Sequence, residues 1–216
     1  DGVSWRAGRR LLLVSAVLPW VLSVIRQLSN FIVRTSESLP RFLLAAALGP
    51  GTLFLVLFPI MRGFTALSGG VQPFDWQNEL TRADIAAQLP AYTEPMRQLY
   101  YAHAFIDYLF PVFVAAFFGA IAAYALRHGV PRLYAGAVRY GLFALFLVSV
   151  PFDYCENTGA LAAILAYPAP AGAWIDLALF GKRIKLITES VIPATTALAL
   201  VLGAGGWLIH RMTARS

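Results

Sequence analysis

The chain has 216 residues, 59% of them hydrophobic and 13% charged, where ordinary soluble domains carry about 25% charged residues. Its net charge of +6 comes without a basic patch interleaved with stacking aromatics, which argues against a nucleic-acid partner. A single cysteine, Cys155, excludes an intrachain disulfide and a multi-cysteine metal site; inside an apolar run it reads as a small apolar filler.

Arg6, Arg9 and Arg10 precede an apolar run over residues 11–25 and superficially resemble a signal peptide. Arg26-Gln27 stands where a small-residue cleavage site belongs. The run is short for a span, which needs about 20 residues. It is read as a helix lying in an interface, anchored by Trp20 and Arg26, with a fifth span as the alternative. A first span is predicted over about 42–61, kinked at Gly49-Pro50-Gly51. Residues 62–96 form a polar outer loop, in which Thr81 and Asp84 outline a capping box for a short helix stopped by Pro90. Thr93-Glu94-Pro95 opens the next helix, which contains a second span over about 101–126. On that helix Ala115, Gly119 and Ala123 are spaced for close helix packing. Residues 130–139 read as a basic loop, 140–167 as a third span tilted or kinked at Pro151, 169–182 as a loop, and 184–209 as a fourth span.

Charge counting favours four spans. With the N-terminus inside, 11 of the 17 Lys and Arg residues fall on the inner side, against 8 if residues 11–33 also cross. The predicted fold class is therefore all-α integral membrane: a four-helix transmembrane bundle (41–216) preceded by an N-terminal interfacial segment (1–40). The bilayer is its expected partner. The expected location is the bacterial inner membrane, with both termini cytoplasmic.

Polar residues in apolar runs need partners. His103 and Asp107 lie four apart on the second span, Asp153, Glu156 and Asn157 share a face of the third, and Lys185 and Glu189 share a face of the fourth. At 1.5 Å per residue these three stripes reach similar depths. His103, Asp107, Asp153, Glu156, Asn157, Lys185 and Glu189 are thus the candidate ligand-binding residues. They either satisfy one another, with Lys185 pairing Asp153 or Glu189 and His103 pairing Asp107, or line a cavity for a proton, a cation or a lipid-like molecule. The excess of carboxylates over lysine points to raised carboxyl pKa values or a bound cation. His103, Asp107, Asp153 and Glu156 are suitable metal-ligand types but lack the spacing typical of a metal site; no catalytic motif is recognised, and the cofactor is left unknown. His128 and His210, next to arginines, read as interfacial residues, with a tetrapyrrole-ligand role as the alternative.

Five segments carry a resemblance: Pro73-Phe74-Asp75, Gln88 to Thr93, Arg97 with Tyr100, Asp107 to Pro111, and Pro151 to Asn157. Over roughly residues 42–210 they resemble a family of short bacterial four-span membrane proteins to which no activity is attached. The layout is also loosely similar to the emopamil-binding (EXPERA) fold, which implies acidic residues facing a bundle cavity for sterol-like ligands. The leading expectation is a polytopic membrane protein whose intramembrane acidic cluster binds a small apolar ligand, lipid or ion. The alternatives are an accessory subunit of a larger respiratory or photosynthetic type complex, joined to other membrane subunits, and an intramembrane lipid- or isoprenoid-modifying enzyme using His103 or Glu156 as acid/base.

Overall fold

The computed structural model describes residues 2–169 and 172–214, with side chains described from Leu18 onward. Helix α1 (Gly2–Ser36) runs for 35 residues and passes Pro19 without ending. Its C-terminal turns pack into the core. Ile32 is 0% exposed, and its Cγ2 lies 2.7 Å from where a Cβ on Gly119 would sit. The small-residue row Ala115, Gly119, Ala123 is therefore the seat that lets α1 approach α6 (Phe110–Gly129).

Pro40 opens α2 (Leu39–Ala46) in the first turn, where a missing N–H costs nothing. The predicted kink at Gly49-Pro50-Gly51 is a pair of π-helical turns, Ala47–Gly51 and Leu53–Leu57, before α3 (Phe58–Leu67). Pro50 cannot donate to the helical ladder, and the wider turns absorb the loss. Gly49 lets the α6 backbone close in: a Cβ there would meet Phe113 C at 2.8 Å.

The connector after α3 holds a 3₁₀ turn at Phe74–Trp76, the short α4 (Arg82–Gln88) and a second 3₁₀ turn at Leu89–Ala91. The Thr81 capping box forms: the Thr81 amide donates to Asp84 Oδ2 at 2.8 Å, and the Asp84 amide donates to Thr81 Oγ1 at 3.3 Å. Helix α5 (Glu94–Asp107) follows, then α6 after a two-residue break. Where a basic loop is expected, α7 (Pro131–Arg139) forms. Gly141, at φ 71°, takes the left-handed turn that leads into a 3₁₀ segment, Leu142–Leu147, and α8 (Val150–Ala166). Residues expected as the 169–182 loop belong largely to α9 (Gly172–Glu189), which packs along α8 and leads into α10 (Val191–Thr213).

Among the described residues three helical stretches, Leu39–Leu67, Glu94–Gly129 and Gly172–Thr213, are long and apolar enough to cross a membrane by length and composition. A fourth would require Pro131–Arg139 and Leu142–Ala166, bent by 69°, to count as one span. The expected simple four-span bundle with an interfacial N-terminal helix is therefore corrected. The chain forms a compact all-α domain of ten α-helices among the described residues, with two buried apolar clusters and charged pairs closed inside it. The expectation of a membrane protein built on transmembrane helices is corrected with it, because the buried ion pairs and aromatic rings form an internally packed core.

Candidate functional site

The site lies where α5, α8, α9 and the 3₁₀ turn at Phe74–Trp76 meet. On α9, residues 182, 185 and 189 are three and four apart, which turns Lys182, Lys185 and Glu189 to one side. On α8, Asp153, Glu156 and Asn157 share the opposing face. Two glycines set the distance between these helices. A Cβ on Gly181 would lie 2.6 Å from Phe152 O, and one on Gly159 the same distance from Trp174 O. Only hydrogen at both positions lets the two polar faces meet.

Glu156 receives both lysines: Lys182 Nζ is 3.1 Å from Oε1 and Lys185 Nζ is 3.0 Å from Oε2. Neither Glu156 oxygen has a well-aligned hydrogen bond, so the pairing is chiefly coulombic. Lys185 also makes a close ion pair with Asp153 and reaches Glu189 Oε1 at 3.9 Å. Asn157 Nδ2 donates to Asp153 Oδ2 at 3.1 Å and to the Asp107 carbonyl at 3.4 Å, which ties α8 back to α5.

The second half of the site comes from the connector. Lys182 Nζ donates to Asp75 O at 2.6 Å and to Phe74 O at 3.5 Å. The Asp75 carboxylate in turn lies 3.0 Å from His103 Nε2. Trp76 Nε1 is 3.3 Å from the same nitrogen. One nitrogen cannot donate to a carboxylate and accept from an indole at once. The charge-assisted contact to Asp75 is the stronger and holds the proton on Nε2. Burial works against the Asp75 charge, but the hydrogen bond and charge of His103, followed by the charge of Lys182, outweigh it and hold the carboxyl below its ordinary range. Phe74, Tyr92 and Tyr100 pack around this end, with the Phe74 and Tyr100 ring centroids 5.9 Å apart. The Phe74 amide donates to Tyr92 Oη at 3.0 Å, and burial pushes the Tyr92 phenol well up, so it stays neutral.

Of the residues singled out from the sequence, His103, Asp107, Asp153, Glu156, Asn157 and Lys185 come together. Glu189 sits at the rim with its side chain 47% exposed. His103 pairs with Asp75, not with Asp107 as its sequence neighbourhood implied. Asp75 and Lys182 are the members that sequence reasoning missed. The signal for Lys182 was its place three residues before Lys185 and seven before Glu189, which the expected loop concealed. His128 rests against Tyr124, centroids 4.4 Å apart, and His210 lies in the exposed last turn of α10.

The space at the cluster is small. The cavity bounded by Asp75, Glu156, Lys182 and neighbouring apolar side chains measures about 10 Å³, at the lower limit for one water. No group of three or more His, Cys, Asp or Glu residues is placed to hold a metal ion among the described residues. The expected function, a polytopic membrane protein whose intramembrane cluster takes an apolar ligand, lipid or ion, is thereby corrected. The charged and aromatic core is internally packed and ion-paired, and the cavity that touches Asp75, Glu156 and Lys182 is too small for a ligand. The expectations of the bilayer as partner and of an inner-membrane location with both termini cytoplasmic are overturned with it, since the polar groups close on one another inside the domain instead of forming a layer between four spans.

Comparison of the chain with protein-family models, with curated proteins and with solved structures found no match.

Proposed function

We propose that the protein is an all-α module whose buried ionic core stores a proton, and that proton occupancy sets how firmly the 73–92 connector is held. The observation that carries this reading is a charge imbalance in a closed space. Four buried carboxyl groups, Asp75, Asp107, Asp153 and Glu156, face Lys182, Lys185 and His103. Even with His103 charged, one carboxylate has no cation. An unpaired buried charge is costly, and Asp107 and Asp153 are only 8% and 3% exposed. A proton shared between Asp107 and Asp153 restores neutrality without occupying volume.

The connector is linked to this balance through Lys182, which holds the Phe74 and Asp75 carbonyls with the same ammonium that pairs with Glu156. Acid–base catalysis by His103 and Asp75 is disfavoured, because their side chains are 2% and 5% exposed.

The test is a proton count. Wild type, Asp107→Asn and Asp153→Asn are taken between about pH 8 and pH 5, and protons bound per chain are measured with an indicator dye. Wild type is expected to take up about one proton more than either variant. Hydrogen exchange is expected to show 73–92 better protected in the protonated state. Equal uptake by all three proteins, each verified as folded by circular dichroism, overturns the reading.

A further inference from the structure

We infer that the groove between α1, α2 and α6 is a binding site for an oxyanion carried on an apolar stem, an organic phosphate or carboxylate, with Arg34 and Arg41 as its clamp. This site is separate from the ionic core.

Gln27, Asn30, Phe31 and Arg34 recur at helical spacing and line one cavity from α1. Arg41 and Leu44 line it from α2, and Phe113 closes it from α6. Its volume is about 420 Å³, within the range of small-molecule sites and far above the space at the ionic core.

Its charge is unbalanced. Glu37 is the only acidic residue between Gly2 and Phe74. It stands between the two arginines in sequence, yet it turns away to pair with Arg127, with Oε1 3.4 Å from Nη1. Arg34 and Arg41 have no ion-pair or hydrogen-bond partner among the described residues, and neither do the amides of Gln27 and Asn30. Arg34 has a local reason for its place, because a cation in the last turn of α1 faces the negative end of the helix dipole. Arg41 has none. It lies in the first turn of α2, where a cation opposes the dipole and no acidic residue compensates.

Two guanidinium groups and two amides offer only compatible donors to a phosphate or carboxylate, and guanidinium binds both in bidentate fashion. Phe31, Leu44 and Phe113 supply an apolar floor that inorganic phosphate would leave uncovered. The ligand class is therefore amphiphilic.

The experiment is titration calorimetry of the full chain with inorganic phosphate, with hexyl phosphate, and with neutral-detergent micelles with or without phosphatidic acid. Hexyl phosphate is expected to bind at least about tenfold more tightly than inorganic phosphate. The Arg34→Gln/Arg41→Gln variant is expected to weaken hexyl phosphate by about tenfold or more. The charge-keeping Arg34→Lys/Arg41→Lys variant should recover part of that loss. Leu44→Trp, which fills the floor and leaves every charge in place, should also block binding, so the proposal does not depend on the arginine variants folding. Arginine-dependent binding of phosphatidic acid micelles without binding of hexyl phosphate would support the clamp and assign the oxyanion to a lipid headgroup. Failure of both phosphate amphiphiles to bind wild type, or wild-type affinity in folded Arg34→Gln/Arg41→Gln and Leu44→Trp variants, would overturn it.

Discussion

His103 Nε2 lies 3.0 Å from Asp75 Oδ2, joining a helix to a connector turn across 28 residues of sequence. With both side chains buried, the pair holds charge where water cannot screen it, and its loss is expected to be costly. Asp75→Ala should destabilise the fold by about 3–5 kcal/mol, the usual cost of stripping one partner from a buried pair. Chemical denaturation at neutral pH measures it.

The same pair has a defined acid dependence. The Asp75 carboxyl is held below its ordinary value of 3.8. Its contribution is therefore present in full above that value and is lost as the pH falls through the lower folded one. The gap in stability between wild type and Asp75→Asn should be widest between about pH 4 and pH 6. It should narrow below about pH 4 as Asp75 is protonated, and also at alkaline pH, because Asp75 raises the His103 pKa and that contribution fades as the pH rises through it. Thermal unfolding of both proteins across acid and alkaline pH checks it, and a gap already closed at about pH 5 would contradict it.

Lys182 supports Glu156 and the connector together. Lys182→Met is expected to cost about 3–5 kcal/mol, because Glu156 keeps only Lys185 and two carbonyls lose their donor. Lys182→Met/Glu156→Leu should recover a large part of that loss, since an apolar pair leaves no orphaned charge. A double-mutant cycle by urea denaturation decides it; additive losses would argue against a direct pairing.

Gly181 tests the helix contact beneath the network. A methyl group there would sit 2.6 Å from the Phe152 carbonyl, and backbone cannot rotate out of the way as a side chain can. Gly181→Ala should therefore separate α8 from α9 and cost about 1–3 kcal/mol or more, even though alanine is the better helix former. By contrast, Gly136→Ala, whose added methyl meets nothing within 4 Å, should be neutral or stabilising.

Tyr92 closes the aromatic end. Tyr92→Phe leaves the buried Phe74 amide without its acceptor and should cost about 1–3 kcal/mol with no change in packed volume. Hydrogen exchange at Phe74 should accelerate selectively.

The sequence by itself determined the all-α class, because apolar runs at helical length permit little else, and it determined local stops and starts such as the Thr81 capping box and the distortion at Gly49-Pro50-Gly51. It also pointed to the faces of α5 and α8 that enter the polar cluster, since spacings of three and four residues put side chains on one side of a helix whatever the surroundings. What it did not reveal was which faces meet. The first half of α9 lay within residues 169–182, which read as a loop, and Lys182 was hidden with it. Asp75 sat in a polar connector and was no candidate partner for His103. The number of crossings, the bilayer partner and the ligand cavity were extrapolated from hydropathy, which reports how apolar a segment is and not what covers it. Only the tertiary structure decided that the charges close on one another, because ion pairs between two helices, such as those of Lys182 and Lys185 with Glu156, depend on backbone approach, set here by Gly159 and Gly181, and local pattern carries no record of that distance.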